Sequence, residues 1–183
     1  MDYTTVLSYL YPGITFLPIS GDCRIVVDGF GNTTIQNWNT AKLGTQPTLT
    51  QLEAAWGAAQ LAQARASQTT LLRGNCDAAI TGGFVSSALG AAHTYPSTLI
   101  DQHNLASSVV ASLLPNLPSG WTTKFWVMDS TGAWSLAPHT AAQIQQAGLD
   151  GKAWVTAQQE KLASLNAQID AATTVSAVQA IIW

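Results

Sequence analysis

Hydrophobic and polar positions change period twice in the first eighty residues. Residues 3–11 form an apolar, tyrosine-rich run that predicts a short helix closed by Pro12-Gly13, a strong stop signal. The pattern then becomes strand-like. Arg24-Ile25-Val26-Val27 and Thr33-Thr34-Ile35-Gln36-Asn37-Trp38 are β-branched runs flanking the turn formers Asp28-Gly29-Phe30-Gly31-Asn32, and together they predict a hairpin. Residues 39–47, polar with Gly44 and Pro47, read as a connector. A long helix follows, running to about Ala79 and ended by Gly82-Gly83, with Thr50 and Glu53 spaced as a capping box. Its Leu52, Trp56, Ala59, Gln63, Ala66 and Thr70 recur at intervals of four and three, the spacing of a narrow helix–helix seam.

The second half alternates hairpins with helices. Phe84-Val85-Ser86-Ser87 and His93-Thr94-Tyr95 pair across a turn near Gly90. Thr98-Leu99-Ile100-Asp101 opens a helix to about Leu114, with Leu99, Ala106, Val109, Val110 and Leu113 on one broad face and Pro115 and Pro118 beyond its end. Phe125-Trp126-Val127-Met128 and Ala133-Trp134-Ser135-Leu136 flank Asp129-Ser130-Thr131-Gly132, the clearest hairpin in the chain. Pro138-His139-Thr140 leads into a second long helix, with Thr140 and Gln143 as a further capping box. There Ile144, Gly148, Gly151, Val155, Gln158, Leu162, Leu165 and Ile169 keep the four-three spacing without a break. Two glycines inside a helix cost ~1 kcal/mol each relative to alanine. Their place on the seam predicts close approach by something bulky, the Trp126/Trp134 hairpin being the natural candidate. Thr174 is placed to cap a last short helix over residues 175–183.

Charge sharpens this picture. Only 7 Lys+Arg and 10 Asp+Glu occur in 183 residues, or 9%, against roughly 25% in an ordinary soluble domain. Alanine, threonine, serine and glutamine take their place, and such side chains are far cheaper to desolvate than ions. That composition suits a surface that lies against other proteins. The seven basic residues are scattered singly and the net charge is −3, so no phosphate-tracking patch forms and nucleic acid is not an expected partner. Cys23 and Cys76 lack metal-type spacing and read as reduced thiols of a protein made in a cytoplasm. The start Met1-Asp2-Tyr3 lacks the basic region of a secretory signal, and no apolar run reaches the ~18 residues of a spanning helix. No membrane insertion is expected.

One ordered series of residues is distinctive: Gly83-Phe84, His93-Thr94-Tyr95-Pro96, Asp101-Gln102-His103-Asn104-Leu105, Trp121 with the Trp126/Trp134 hairpin, Pro138-His139-Thr140-Ala141-Ala142-Gln143 and Ile169-Asp170-Ala171-Ala172-Thr173-Thr174. Over about residues 68–183 it resembles a C-terminal domain of unknown function found in tailed-bacteriophage tail proteins. More weakly, the N-terminal part is similar to small phage tail proteins that open with a Tyr-rich helix ending in Pro-Gly. There an aromatic strand follows, then a Pro-Thr lead into an acidic helix, as from Pro47 to Trp56. The resemblance implies a virion or prophage-tail component near the fibres or baseplate, with no catalytic residues to carry over.

Candidate chemistry is sparse. His93, Asp101 and His103 would converge as metal ligands or as an acid–base pair if the second hairpin and the following helix start fold together. The plainer reading gives Asp101 to the helix N-terminus, His103 to the helix surface and His93 to a strand, and it is preferred because such spacing is unspecific. An inter-chain ion site on a three-fold fibre axis, one histidine per chain, stays open. Glycan hydrolysis needs two carboxylates flanking one bond. Asp129 lies in a turn, Glu53 and Glu160 on helices, and Asp22 and Asp28 bracket a strand, so none pair. No Gly-x-Ser-x-Gly elbow accompanies a serine triad. Most of the seven tryptophans are expected in the core, with Trp38 and Trp183 exposed or interfacial.

The expected fold is α+β: an N-terminal helix-plus-hairpin module (1–47), a long connecting helix (48–82) and a C-terminal helical domain with two short β-hairpins (83–183). The expected function is that of a structural component of a phage or prophage-derived tail, in fibre or baseplate periphery, made in the host cytoplasm and resident in the virion. It is not an enzyme on this reading and needs no cofactor or metal. Its partners are other tail or baseplate proteins and further copies of itself, a trimer by analogy with fibres, with the host surface as another candidate. Trp38, Trp56, Val155, Gln158, Leu162, Leu165, Ile169 and Trp183 are the expected interface residues. The alternatives are a non-virion assembly chaperone for tail fibres and a glycan-binding tip domain.

Overall fold

A computed structural model of the chain describes residues 1–17 and 20–183. It is an α+β fold: among the described residues six helices accompany one two-stranded and one four-stranded antiparallel sheet. Two compact units divide it: Met1–Thr70 with Gln168–Ile182, and Leu71–Ala167 with Trp183. The division falls within two long helices, not at residues 47 and 82, because each helix is long enough to contribute to two separate cores.

In the first unit α1 (Tyr3–Leu10) is capped by Asp2, whose carboxylate accepts from the backbone N–H groups of Thr4 and Thr5 at 3.0 and 3.3 Å. β1 (Arg24–Val27) and β2 (Thr33–Gln36) form the expected hairpin, with Ile25 opposite Ile35. The connector carries an element that its polar composition hid. α2 (Thr40–Leu43) is capped by Asn39, and its Lys42 ammonium reaches the buried Asp22 carboxylate at 2.7 Å. Lys42 first, then the Thr15 hydroxyl and N–H, hold the pKa of Asp22 down at about 2 against the opposing effect of burial.

α3 (Leu49–Thr81) begins two residues earlier than the Thr50/Glu53 box predicts. Thr48 and Gln51 make the reciprocal bonds instead, Thr48 N–H to Gln51 Oε1 at 2.8 Å and Gln51 N–H to Thr48 Oγ1 at 3.3 Å, so the helix is already under way at Thr50. Leu52 and Ala59 join Val6, Leu7 and Cys23 in the core of this unit, and Trp38 meets Tyr11 edge-to-face at 5.1 Å. The four-three seam then lapses: Gln63, Ala66 and Thr70 are exposed, while Gln68, Leu72 and Cys76 are buried. A heptad seam holds its register only against one continuous partner, and α3 changes partner: from Arg65 onward it lies against α5 and its end, as at Cys76 and Gln158. Gln68 is inside because its amide donates to the Ile181 carbonyl. Arg65 donates to the carbonyls of Asp170 and Ala172 at 3.1 and 2.7 Å, closing a helix C-terminus with a cation. α6 (Val175–Gln179) is capped by Thr174 as expected but stops four residues before the chain does.

The second unit is a sheet layered on helices. β3 (Phe84–Ser86) and β4 (His93–Tyr95) turn at Gly90, while β5 (Thr122–Met128) and β6 (Trp134–Thr140) turn at Gly132, whose φ of +85° only glycine takes without strain. The two hairpins do not stay separate. Thr94 pairs with Met128, which joins them in the order β3-β4-β5-β6. Pro138, His139 and Thr140, expected as a helix lead-in, belong to β6, and Pro138 is tolerated there because β6 is an edge strand. α4 (Leu99–Ser112) starts on a complete Thr98/Asp101 capping box, and α5 (Ala141–Ala171) starts on the expected Thr140/Gln143 pair. The inner face of the sheet, with Phe84, Tyr95, Phe125 and Val127, packs on Leu105 of α4 and on Ile144 and Ala147 of α5.

The glycines of α5 do admit bulky neighbours, though not the Trp126/Trp134 hairpin. A Cβ at Gly151 would stand 3.0 Å from the Phe84 ring, and one at Gly148 would stand 2.7 Å from a Val109 methyl. The tryptophans of β5 and β6 point the other way.

Candidate interaction surfaces

Strand alternation decides where the chemistry of the second unit lies. Phe125, Val127 and His139 face inward, so Trp126, Trp134 and Leu136 face outward. Trp126 and Trp134 are 51% and 49% exposed, and Val85 and Leu136 extend the same uncovered face. The expectation that most tryptophans lie in the core is overturned, since none of the seven is buried. Large rings fill a core only where the pleat turns them inward.

Inside the sheet the polar groups are satisfied. Fully buried His139 has Nδ1 3.0 Å from the Ala137 carbonyl, which only accepts, so Nδ1 carries the proton and Nε2 accepts from the Tyr95 hydroxyl at 2.8 Å. Tyr95 stacks between Phe84 and Phe125 at 5.2 and 6.2 Å. Burial keeps His139 neutral, holding its pKa below the ordinary histidine value despite the Ala137 bond, and pushes the Tyr95 phenol up to about 12. The folded-state pKa of Tyr95 therefore exceeds its unfolded value of about 10. Stability is present below pH 10 and drains away as pH rises toward 12. Denaturation midpoints measured across that interval are expected to fall, and in Tyr95→Phe this component of the fall is absent. Beside this pair Ser86 Oγ donates to Asp150 Oδ2 at 2.5 Å, and Gln146 donates to the other Asp150 oxygen at 2.7 Å.

The other surface lies on α4. Its predicted apolar face is largely in water: Leu99, Ala106, Val110 and Leu113 are exposed and Val109 is half-buried, while Leu105 and Ser112 face the protein. Val109 is drawn in because Gly148 of α5 leaves room for its side chain, a Cβ there standing 2.7 Å from a Val109 methyl. Between α4 and α5 runs an open groove of about 690 Å³, where leucines and valines of both helices are joined by Phe84, Gln102, Gln145 and Lys152.

The candidate ligand and catalytic residues do not assemble. Asp101 is held in its cap by Thr98, His103 is exposed on α4, and His93 Nδ1 lies 2.9 Å from the Ala91 carbonyl. No group of three metal-ligating side chains forms among the described residues. Asp129 is occupied by its own turn, accepting from the Thr131 and Ala133 N–H groups at 2.8 and 3.0 Å.

The expected interface residues do not form one free patch. Gln158 and Ile169 are buried within the chain, and Val155, Leu162 and Leu165 are half-buried. The Gln158 carbonyl lies 3.6 Å from Cys76 Sγ of α3, so this stretch of the α5 seam is packed within the chain. Trp38 and Trp56 pack on the first core, and Trp183 lies under the Lys161 ammonium at 4.5 Å. The uncovered faces of β5/β6 and α4 were missed as surfaces. The period-two alternation of residues 122–128 was the available signal for the first.

These features define a two-unit α+β protein with exposed aromatic and aliphatic faces, in which Asp2, Asp22, Asp101, Asp129 and His139 serve caps, turns and buried bonds. The chain belongs to the family described as Domain of unknown function (DUF4376), which matches residues 63–182. No curated protein and no solved structure matches it. Among the described residues no helix is long and apolar enough to cross a membrane.

Proposed function

We propose that this chain is a structural component of a phage or prophage-derived tail, at the fibre or baseplate periphery, working by contact and not by turnover. The tail setting rests on the ordered residues that resemble phage tail domains. The mode of action rests on the outer face of the four-stranded sheet. Trp126, Trp134 and Leu136 stand half in water with no element of the second unit over them, and large exposed aromatics on a rigid sheet are typical contact anchors.

Mass spectrometry of purified particles tests the setting: the chain is expected at a fixed ratio to the tail proteins. Its absence from mature particles, with binding to fibre precursors retained, would replace this reading with that of an assembly chaperone. The paired variant Trp126→Ser/Trp134→Ser tests the surface. Incorporation is expected to be lost with the circular dichroism spectrum unchanged, because both rings lie on the outer side of the sheet.

A further inference from the structure

We infer that a second copy of this chain packs on the outward stripe of α4, helix on helix and antiparallel about a two-fold axis between His103 and Ala106. The stripe is Leu99, His103, Ala106, Val110 and Leu113, spaced four-three-four-three, and every member is exposed. Leu99 is 76%, Val110 63% and Leu113 66% in water, and Ile100 and Leu114 beside them are similarly open. The equivalent spacing on α5 is covered along its whole length by this chain itself. On α4 no described element of the second unit supplies such cover.

Charge indicates what covers it. The only formal charge on α4 is Asp101, tied back to Thr98, and the positions flanking the stripe carry none. Partner choice along such a seam is normally set by flanking charges. On α4 a charged partner finds no counter-charge, Lys152 across the groove being the one cation among the described residues that line it, whereas an identical face meets no repulsion along the stripe. Size agrees. Together with Leu149 these side chains leave on the order of 600 Å² of apolar surface in water, the upper end for a lone monomer and most of the ~800 Å² each side of a specific interface buries.

Shape sets the orientation. The α4–α5 groove borders the Ala106–Leu113 side of the stripe and is lined on the α5 side by Leu149, Lys152 and Val155. Antiparallel packing brings the Leu99/Ile100 end of one copy to the Val110/Leu113 end and groove of the other. It also sets each His103 against Ala106, the smallest side chain on the stripe. Parallel packing would stack the two imidazoles and leave the groove empty. The contact is two-fold, unlike the trimer that fibre symmetry suggests, and it does not depend on the tail reading.

Sedimentation equilibrium of the full chain is expected to show a dimer. Val110→Glu, which puts a carboxylate into the contact, is expected to raise the dissociation constant ~100-fold or more with an unchanged circular dichroism spectrum. Val27→Glu, on the exposed hairpin of the first unit, is expected to leave dimerisation intact. Orientation is read by disulfide trapping: Leu99→Cys mixed with Val110→Cys is expected to cross-link, and Leu99→Cys alone is not. The native Cys23 and Cys76 are buried and do not compete. A monomer at every concentration, a trimer, a dimer indifferent to Val110→Glu, or efficient self-cross-linking of Leu99→Cys would each overturn the inference.

Discussion

Tyr95→Ala is expected to destabilise the second unit by about 4 kcal/mol or more, read as a large drop in the denaturant midpoint of its transition. The ring is fully buried and stacked between Phe84 and Phe125, so its loss leaves an aromatic-sized cavity in a sheet that cannot collapse around it. Large aromatic-to-alanine changes cost about 3–5 kcal/mol on this account alone. The change also strips His139 Nε2 of its donor in a site closed to water, which adds about 1–3 kcal/mol where the group stays unsatisfied. Tyr95→Phe separates the two contributions, because it keeps the ring and removes only the hydroxyl; its expected cost is about 1–2 kcal/mol. Since whole domains are stable by only ~5–15 kcal/mol, the alanine variant is expected to populate an unfolded second unit under mild denaturant, where the phenylalanine variant does not.

Gly151→Val is the second large effect, expected at about 3 kcal/mol from overpacking. Even the first carbon of the new side chain would press on three atoms of the Phe84 ring at 3.0–3.4 Å, and Phe84 is itself pinned by Tyr95. Gly57→Ala and Gly74→Ala on α3 supply the contrast. Nothing lies within 4 Å of a Cβ at either position, so each is expected to stabilise by about 0.5–1 kcal/mol through helix propensity. Thermal denaturation of the three variants side by side checks the opposite signs. A stabilising Gly151→Val would mean that the close approach of β3 to α5 is wrong.

What was legible in the sequence was local. The hairpin turns at Gly90 and Gly132, the Thr140/Gln143 pair, the Asp101 cap and the stop after residue 81 each depend on residues within a few positions of one another, where turn and cap chemistry acts directly. The Thr50/Glu53 box misled because Thr48 and Gln51 offer the same chemistry two residues earlier. Spacing also marked the covered face of α5 along its whole length. It did not name what covers that face, because a period of 3.6 records that a side is apolar and is silent on which element meets it.

The tertiary structure decided the rest. Joining the two hairpins into one sheet rests on a long-range pairing, Thr94 with Met128, that no local signal encodes. That join fixed which side of β5 and β6 meets α4 and α5, burying His139 and turning Trp126 and Trp134 outward. The chain by itself thus determined most of its elements and their apolar stripes, through interactions a few residues in range, but not α2, the start of α3, the end of α6 or the reach of β6. Only the packed structure determined which stripes are already satisfied and which are still open. Burial is a property of two surfaces brought together across the chain, and one stretch of sequence holds only one of them.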